Sequence, residues 1–432
     1  MKPTMNWIGI ALLCLGTCSP VVWSRTWTVG QPNTPCTGAT NTSIGDAINA
    51  ASAGDVIEVC PALYPEQLLI TKPLTLRGIS NTGIGRVLVQ PMQLQTVAGM
   101  AFTAVITVMN TSGVTIQNMA VDASNNTVAG CSVGLSGIHF YNASGLIDGD
   151  SISGARLGNP TSCAPLYPEN GFGVQIDQDP NSTASYNVTV QNSSIHDFTR
   201  NGILVVGSGE TVNIDNNSIA GVGPSSGGFQ FGVFIAFGAT GQVTRNSITQ
   251  GPCGAISNTD CTNRRSEGVV LRSAGAGALI DGNFISNVQA GVFVNGATGA
   301  RVTNNTISNV EVLNGIHIQG SVSGWYIGNR IFHVGPFTED PTNEWACGVN
   351  DIAGTNSSAN LIQGNQVYDA YCGVGYISGD QVQENVYQNT LYEALNHDDY
   401  PDAFPAPVEP GQAQATVSST VSEMLRRVVR ER

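Results

Sequence analysis

From about Val105 to Leu395 the apolar residues fall in short alternating runs, broken every few positions by Gly or Asn. One phrase recurs: an Asn, one residue, then an aliphatic. It occurs at Asn217, Asn246, Asn283, Asn305, Asn329, Asn365 and Asn389, with Ile219, Ile248, Ile285, Ile307, Ile331, Val367 and Leu391 as the second-position followers. Successive spacings are 29, 37, 22, 24, 36 and 24, a unit of 22 to 24 residues lengthened by insertions. A second phrase, Gly-aliphatic-x-aliphatic, begins at Gly137, Gly173, Gly202, Gly232, Gly268, Gly291, Gly315, Gly348 and Gly373. Period-two alternation predicts strands. Strands this short cannot bury a face alone, but stacked at a fixed period they share one continuous core.

On these repeats the chain resembles right-handed parallel β-helices of the pectin-lyase-like superfamily, of the exported bacterial type, over roughly residues 55–395. The resemblance implies an all-β, right-handed parallel β-helix solenoid in which the recurrent Asn form a stacked turn ladder. Asn suits such turns because it tolerates left-handed backbone and its amide can bond along the stack. An N-terminal capping helix is expected over residues 43–53. Ile44, Ala47, Ile48 and Ala51 share one stripe there, with Ser43 as N-cap and Gly54 at the exit. The stretch from Gly54 to Cys60, with Tyr64-Pro65-Glu66, resembles the first coil of such proteins. The expected divisions are 1–24, a signal peptide; 25–54, the N-terminal segment and capping helix; 55–398, the β-helix; and 399–432, a Pro-rich linker and tail. Within that tail, Val417, Val421, Leu425 and Val428 fall at helical spacing before Arg426, Arg427, Arg430 and Arg432.

Composition narrows the function classes. Of 432 residues 41% are hydrophobic, enough for a large core and against global disorder. A formal net charge of −14 argues against nucleic acid and anionic membranes as partners. No apolar run reaches the ~18 residues a membrane span requires. Lys2, the apolar run Ile8 to Leu15 and the small-residue stretch ending at Ser24 read as an export signal cleaved after Ser24. The expected location is secreted: extracellular, cell-surface or periplasmic. Cleavage leaves Cys36, Cys60, Cys131, Cys163, Cys253, Cys261, Cys347 and Cys372, an even set without CxxC spacing that suggests disulfides rather than a thiolate metal site. In the β-helix register Cys347 and Cys372 each precede a column Gly, so they lie one rung apart, about 4.8 Å. Cys36 with Cys60 would tie the cap to the first coil. Cys131 and Cys163 fall in consecutive insertions, and Cys253 and Cys261 close a loop within one.

The insertions, residues 122–136, 155–170, 222–230, 251–267 and 335–347, all precede a Gly-aliphatic strand, so they stack on one side of the solenoid, which often marks a binding face. Alternate residues of the neighbouring strands point outward: His139 and Tyr141, Gln175 and Asp177, Leu204 and Val206, Phe234 and Ala236, Val270 and Arg272, Phe293 and Asn295, His317 and Gln319. An apolar middle with polar ends suits sugar rings, provided that loops do not fold over it. His139, Tyr141, Gln175, Phe234, Phe293, Asn295, His317 and Gln319 are the candidate substrate contacts.

Chemistry is less sharply written. Polysaccharide lyases of this fold use Lys or Arg as base, and Lys72 lies far away in the N-terminal coil, which leaves Arg272 on the strip. Asp177 and Asp179, two apart on one strand edge, could sit about 7 Å apart, suited to inverting hydrolysis or to Ca²⁺. The motif sets of polygalacturonases and alginate epimerases are absent. Three readings follow: an exported β-helix protein that binds a polysaccharide along the loop-walled face; a polysaccharide lyase, hydrolase or epimerase acting there through Arg272, Asp177 and Asp179; and a non-catalytic adhesive solenoid. No cofactor beyond a possible Ca²⁺ is implied, and the oligomeric state is not legible.

Overall fold

The computed structural model describes residues 24–32, 36, 38–79, 85–97, 102–124, 134–156, 171–223, 229–251, 266–311, 313–335, 346–352 and 356–399. The expected signal peptide, apart from Ser24, the tail beyond Asp399, the interiors of the insertions and Cys131, Cys163, Cys253 and Cys261 lie outside them.

Each turn of the chain lays down three short strands, and each pairs in parallel with its counterpart one turn later. The first face carries the Gly strands, among them Gly134–Tyr141, Gly171–Asp177, Asn201–Val206, Gln230–Ala236, Ser266–Arg272 and Ala290–Asn295. The second is a 13-stranded ladder from Thr26–Val29 to Gln381–Gln383. The third holds the Asn-x-Ile strands, such as Ser218–Ala220, Ser247–Thr249 and Phe284–Val288. In the last two turns the first and third faces fuse into single strands, Gln366–Tyr376 and Val386–Asn396. The result is a parallel β-helix whose inward Val and Ile form one continuous buried cluster from Val29 to Val374.

Packing explains why the phrases recur. At each of the nine column glycines a Cβ would reach within 2.1–2.5 Å of a side chain on the third face, the Ile Cγ2 of the same turn at most positions. At Gly268 it would meet Ile285 Cγ2 at 2.4 Å and the Gly291 carbonyl at 2.5 Å. Real Cβ atoms do not approach backbone this closely, so the bend into the first face accepts only Gly.

The Asn ladder is buried. The backbone N–H groups of Asn217, Asn246, Asn283, Asn305, Asn329 and Asn365 each donate to the side-chain oxygen one turn on, at 2.9–3.0 Å. Each side-chain amide donates to a carbonyl one turn back, as Asn246 does to Ile214 and Asn283 to Val243. Two expectations are corrected. The left-handed residue is the one before each ladder Asn: Asn216, Arg245, Gly282, Asn304, Gly328, Gly364 and Glu384 all have positive φ. The last rung is Asn385, not Asn389. Asn385 is followed at its second position by Tyr387 rather than an aliphatic, so the sequence pattern passes over it. Asn389 sits at the next corner, with its amide on Asp369 Oδ1 at 2.6 Å, and Leu391 is exposed.

At the N-terminal end the helix spans Ile44–Ala50, with Ser43 as N-cap, and its chain turns extended at Ala51 before reaching Gly54. The Glu66 carboxylate accepts from Ser43 Oγ and from the Ile44 and Gly45 N–H groups, which satisfies the first-turn donors. Disulfides join Cys36 to Cys60, tying the cap segment to the first coil, and Cys347 to Cys372 across adjacent rungs, with Cα atoms 6.0 and 4.4 Å apart.

A lateral face with an aromatic pocket

The ladder register fixes which side chains stand on the outside of the first face. One column runs Thr107, His139, Gln175, Leu204, Phe234, Val270, Phe293, His317 and Asn350. The next runs Met109, Tyr141, Asp177, Val206, Ala236, Arg272, Asn295 and Gln319. The middle of this strip is covered. Leu204, Val206, Phe234, Ala236, Val270 and Phe293 pack with Phe102, Phe172, Phe229 and Phe231 into a second apolar cluster outside the solenoid core. Candidate contacts His139, Gln175, Phe234, Phe293 and His317 are each at most 5% exposed, whereas Tyr141, Arg272, Asn295 and Gln319 are half-buried. The strip is therefore no long open groove. Its apolar side chains are covered by aromatic rings, because an exposed stripe of that size would hold too much apolar surface in water.

Among the described residues, a pocket opens on this face, lined by Phe229, Phe231, Phe234, Glu267, Val270, Arg272 and Phe293. Phe229, Phe231 and Phe234 form a stack, with centroids 6.1 and 5.2 Å apart and planes within 25°. The Arg200 guanidinium lies 5.6 and 5.7 Å from the Phe229 and Phe231 rings and donates to the Phe229 carbonyl at 3.2 Å. That contact holds the wall from behind. On the far side Phe293 meets His317 edge-on at 4.7 Å, and His317 Nδ1 is 2.9 Å from Asn314 Nδ2. Along the rim Arg272, Asn295 and Gln319 occupy successive rungs, and Asn295 Nδ2 donates to Gln319 Oε1 at 3.2 Å.

Arg272 is not brought together with the two candidate carboxylates. Asp177, Val206, Ala236 and Arg272 follow one another up a single column, which separates Asp177 from Arg272 by three rungs, about 14 Å. Asp177 is buried, with Oδ1 2.7 Å from His139 Nε2 and Oδ2 accepting from Gln175 Nε2 at 2.7 Å. Gln175 Oε1 in turn accepts from Ser136 Oγ at 2.7 Å, which makes a closed polar crosslink between two adjacent rungs. Asp179 is a turn former: its Oδ1 accepts from the Asn181 N–H at 2.9 Å and its own N–H donates to Asn142 Oδ1. Among the described residues no group of three or more His, Cys, Asp or Glu is arranged to hold a metal ion.

The sequence reading missed Glu267. It is buried, precedes Gly268, and stands between Phe231 and Ala290 on neighbouring rungs. A carboxylate before the column Gly, where other turns carry Ser136, Phe172, Asn201 and Phe231, was the available signal. A second buried acid, Glu210, opens a strand of the second face. Neither of its carboxylate oxygens accepts a hydrogen bond, and burial, with the Asp177 charge adding to it, pushes its pKa up to about 8.

Against known proteins, a family described as a right-handed β-helix region matches residues 103–267. Among solved structures, a GH136 lacto-N-biosidase from Eubacterium ramulus aligns with TM-score 0.55 at 11% identity, over 86% of this chain and 67% of that one. The A-module of a mannuronan C-5 epimerase from Azotobacter vinelandii aligns with TM-score 0.52 at 14% identity, over 81% and 91%. No curated protein matches the chain by sequence. At these identities the likeness is one of fold: the protein is a right-handed parallel β-helix.

Proposed function

For a right-handed parallel β-helix with this lateral face, we propose that the protein is exported and binds a glycan at the phenylalanine pocket, with the chain of sugars continuing along the Arg272, Asn295 and Gln319 rim. The observation that carries this reading is the composition of the pocket: four Phe and Val270 supply apolar walls, and Glu267 and Arg272 are its charged members. A sugar ring offers an apolar face to such a wall and hydroxyl edges to a carboxylate, a guanidinium and the two amides on the rim. The solved structures named above are a lacto-N-biosidase and a mannuronan epimerase, both enzymes of saccharides, which agrees with a glycan ligand. Two disulfides suit an oxidising, extracytoplasmic location.

Catalysis on the same face is the second reading, favoured by the presence of an acid and a cation in one pocket. In it Glu267 takes the acid–base role and Arg272 neutralises a substrate carboxylate, while Asp177 and Asp179 keep their structural bonds. A panel of neutral and acidic polysaccharides, incubated in heavy water with and without Ca²⁺ and read by calorimetry and mass spectrometry, tests both. Saturable binding that Arg272→Ala weakens at least tenfold without lowering the melting temperature is the expected result. Unsaturated fragments, water-added fragments or deuterium uptake abolished by Glu267→Gln would promote the enzyme reading. Absence of binding and of turnover across the panel would overturn both and leave an adhesive solenoid.

A further inference from the structure

The second face of the solenoid, the ladder from Thr26–Val29 to Gln381–Gln383, takes no part in the phenylalanine pocket. In its later turns Val302, Tyr326 and Ile362 point inward on successive rungs and are 0% exposed. Outside, one column passes from Thr189, Asn213 and Gln242 through Arg301 and Trp325, on adjacent rungs, to Gln381. Trp325 is 47% exposed. The core of these turns is already filled by its inward neighbours. Packing of the solenoid therefore gives no reason for a large ring at a position that earlier turns give to Thr, Asn and Gln.

Arg301 is exposed, and its guanidinium carbon lies 4.8 Å from the centroid of the Trp325 ring. Among the described residues that guanidinium has no hydrogen-bond acceptor and no ion-pair partner. Other arginines of this ladder and its corners are matched to acids: Arg77 pairs with Glu58, and Arg245 with Asp215. Asp281, in the adjoining column one rung back, accepts from Thr303 Oγ1 at 2.5 Å and from Asn304 Nδ2 at 2.8 Å, not from Arg301. In a chain of net charge −14, an arginine with five N–H donors and no acid bonded to it is placed to take one from outside. Contact with the indole holds the guanidinium in place and leaves its in-plane donors available.

We propose that Arg301 and Trp325 form a second saccharide site, separate from the phenylalanine pocket, that takes a uronic acid. The indole carries the C–H face of the sugar ring, and the guanidinium takes the ring carboxylate through paired N–H donors. A uronic acid holds its apolar face and its carboxylate in one rigid unit, so both contacts form together with little ordering cost. An acidic peptide brings its carboxylates on flexible side chains and would pay that cost. The test titrates the full chain with trigalacturonate and follows both indole emission and calorimetric heat; the pocket contains no Trp, so its occupation does not act directly on an indole. A saturable emission change is expected, weakened at least tenfold by Arg301→Ala and lost in Trp325→Phe, with the melting temperature unchanged in both because both side chains are exposed. Arg301→Lys should recover only part of the affinity, since an ammonium keeps the charge but not the planar fork. The methyl ester of the same trisaccharide should bind at least tenfold more weakly. Affinity unchanged in Arg301→Ala, or equal for the methyl ester or for oligoglutamate, would overturn the proposal. So would a dimer mass by light scattering that Trp325→Ala abolishes, by assigning the patch to a second copy. Binding removed by Arg272→Ala but not by Arg301→Ala would also overturn it and leave the pocket as the sugar site; the reverse pattern would support it and count against the pocket.

Discussion

Replacing Asp150 by Asn is expected to stabilise the protein, and by an amount that depends on pH. Asp150 stands in the ladder column: its Oδ1 accepts from the Met119 N–H at 2.7 Å and its own N–H donates to Ser193 Oγ at 3.1 Å. It is 1% exposed, and its Oδ2 has no hydrogen-bond partner. Burial pushes its pKa from 3.8 up to about 7, opposed by the two backbone N–H groups it accepts from. Every Asn rung from Asn217 to Asn385 places its amide on the carbonyl three residues before the preceding rung, as Asn217 does on Val190 and Asn305 on Ile280. By that rule an Asn at 150 donates to the Ile116 carbonyl. The folded state holds a proton on Asp150 between about pH 4 and pH 7 that the unfolded chain has released, so the native protein loses stability as pH rises through that window and levels off above it. A shift of about three units corresponds to roughly 4 kcal/mol at 1.36 kcal/mol per unit. Relaxation of the site brings the expected gain to about 2–3 kcal/mol at pH 8, falling towards zero near pH 4, where the protonated carboxyl can donate as the amide would. Solenoids need not unfold in one step, so the assay is urea denaturation followed by exchange protection in the turns around residues 114–153, at pH 8 and pH 4.5. A gain of equal size at both pH values, or a loss at pH 8, would refute the reasoning.

Three further outcomes follow from the same geometry. Gly268→Ala is expected to cost about 2–3 kcal/mol, seen as a lowered urea midpoint or loss of soluble protein, because its Cβ would lie 2.5 Å from the Gly291 carbonyl; an unchanged midpoint would show that the bend can relax. Asp351 takes an interior position opposite Ile318, and its pKa is pushed up to about 8 by burial first and the Asp380 charge second, with Asp380 raised as well. Stability should therefore fall as pH rises from about 4 to 8, and Asp351→Asn should flatten that slope in a thermal melt series and raise the melting temperature at pH 8.5. Replacing both Cys347 and Cys372 by Ser is expected to increase exchange in the strands Cys347–Asp351 and Gln366–Tyr376 while leaving the turns before residue 300 unchanged, since contacts in a solenoid are with neighbouring rungs only.

The alternating runs, the column glycines and the Asn phrases determined the solenoid and the register of its first face. Each is a local steric or hydrogen-bonding requirement repeated once per turn: only Gly clears the bend, and only a side chain with both a donor and an acceptor can serve as a full ladder rung. The same locality let the capping helix, the Cys36–Cys60 and Cys347–Cys372 disulfides and the outward columns be read before any coordinates. It failed where chemistry and pattern separated. Tyr387 hid the Asn385 rung from an aliphatic search, and the left-handed turn belongs to the varied residue before each Asn rather than to the Asn. What lies between rungs could not be read along the chain. That Asp177 is engaged by His139, 38 residues away, and by Gln175, that Arg272 stands three rungs from it, and that Phe229 and Phe231 line a pocket beside Glu267 are consequences of how successive rungs stack. Burial and pairing of side chains depend on what the next turn and its insertion bring alongside, and only the stacked structure decides that.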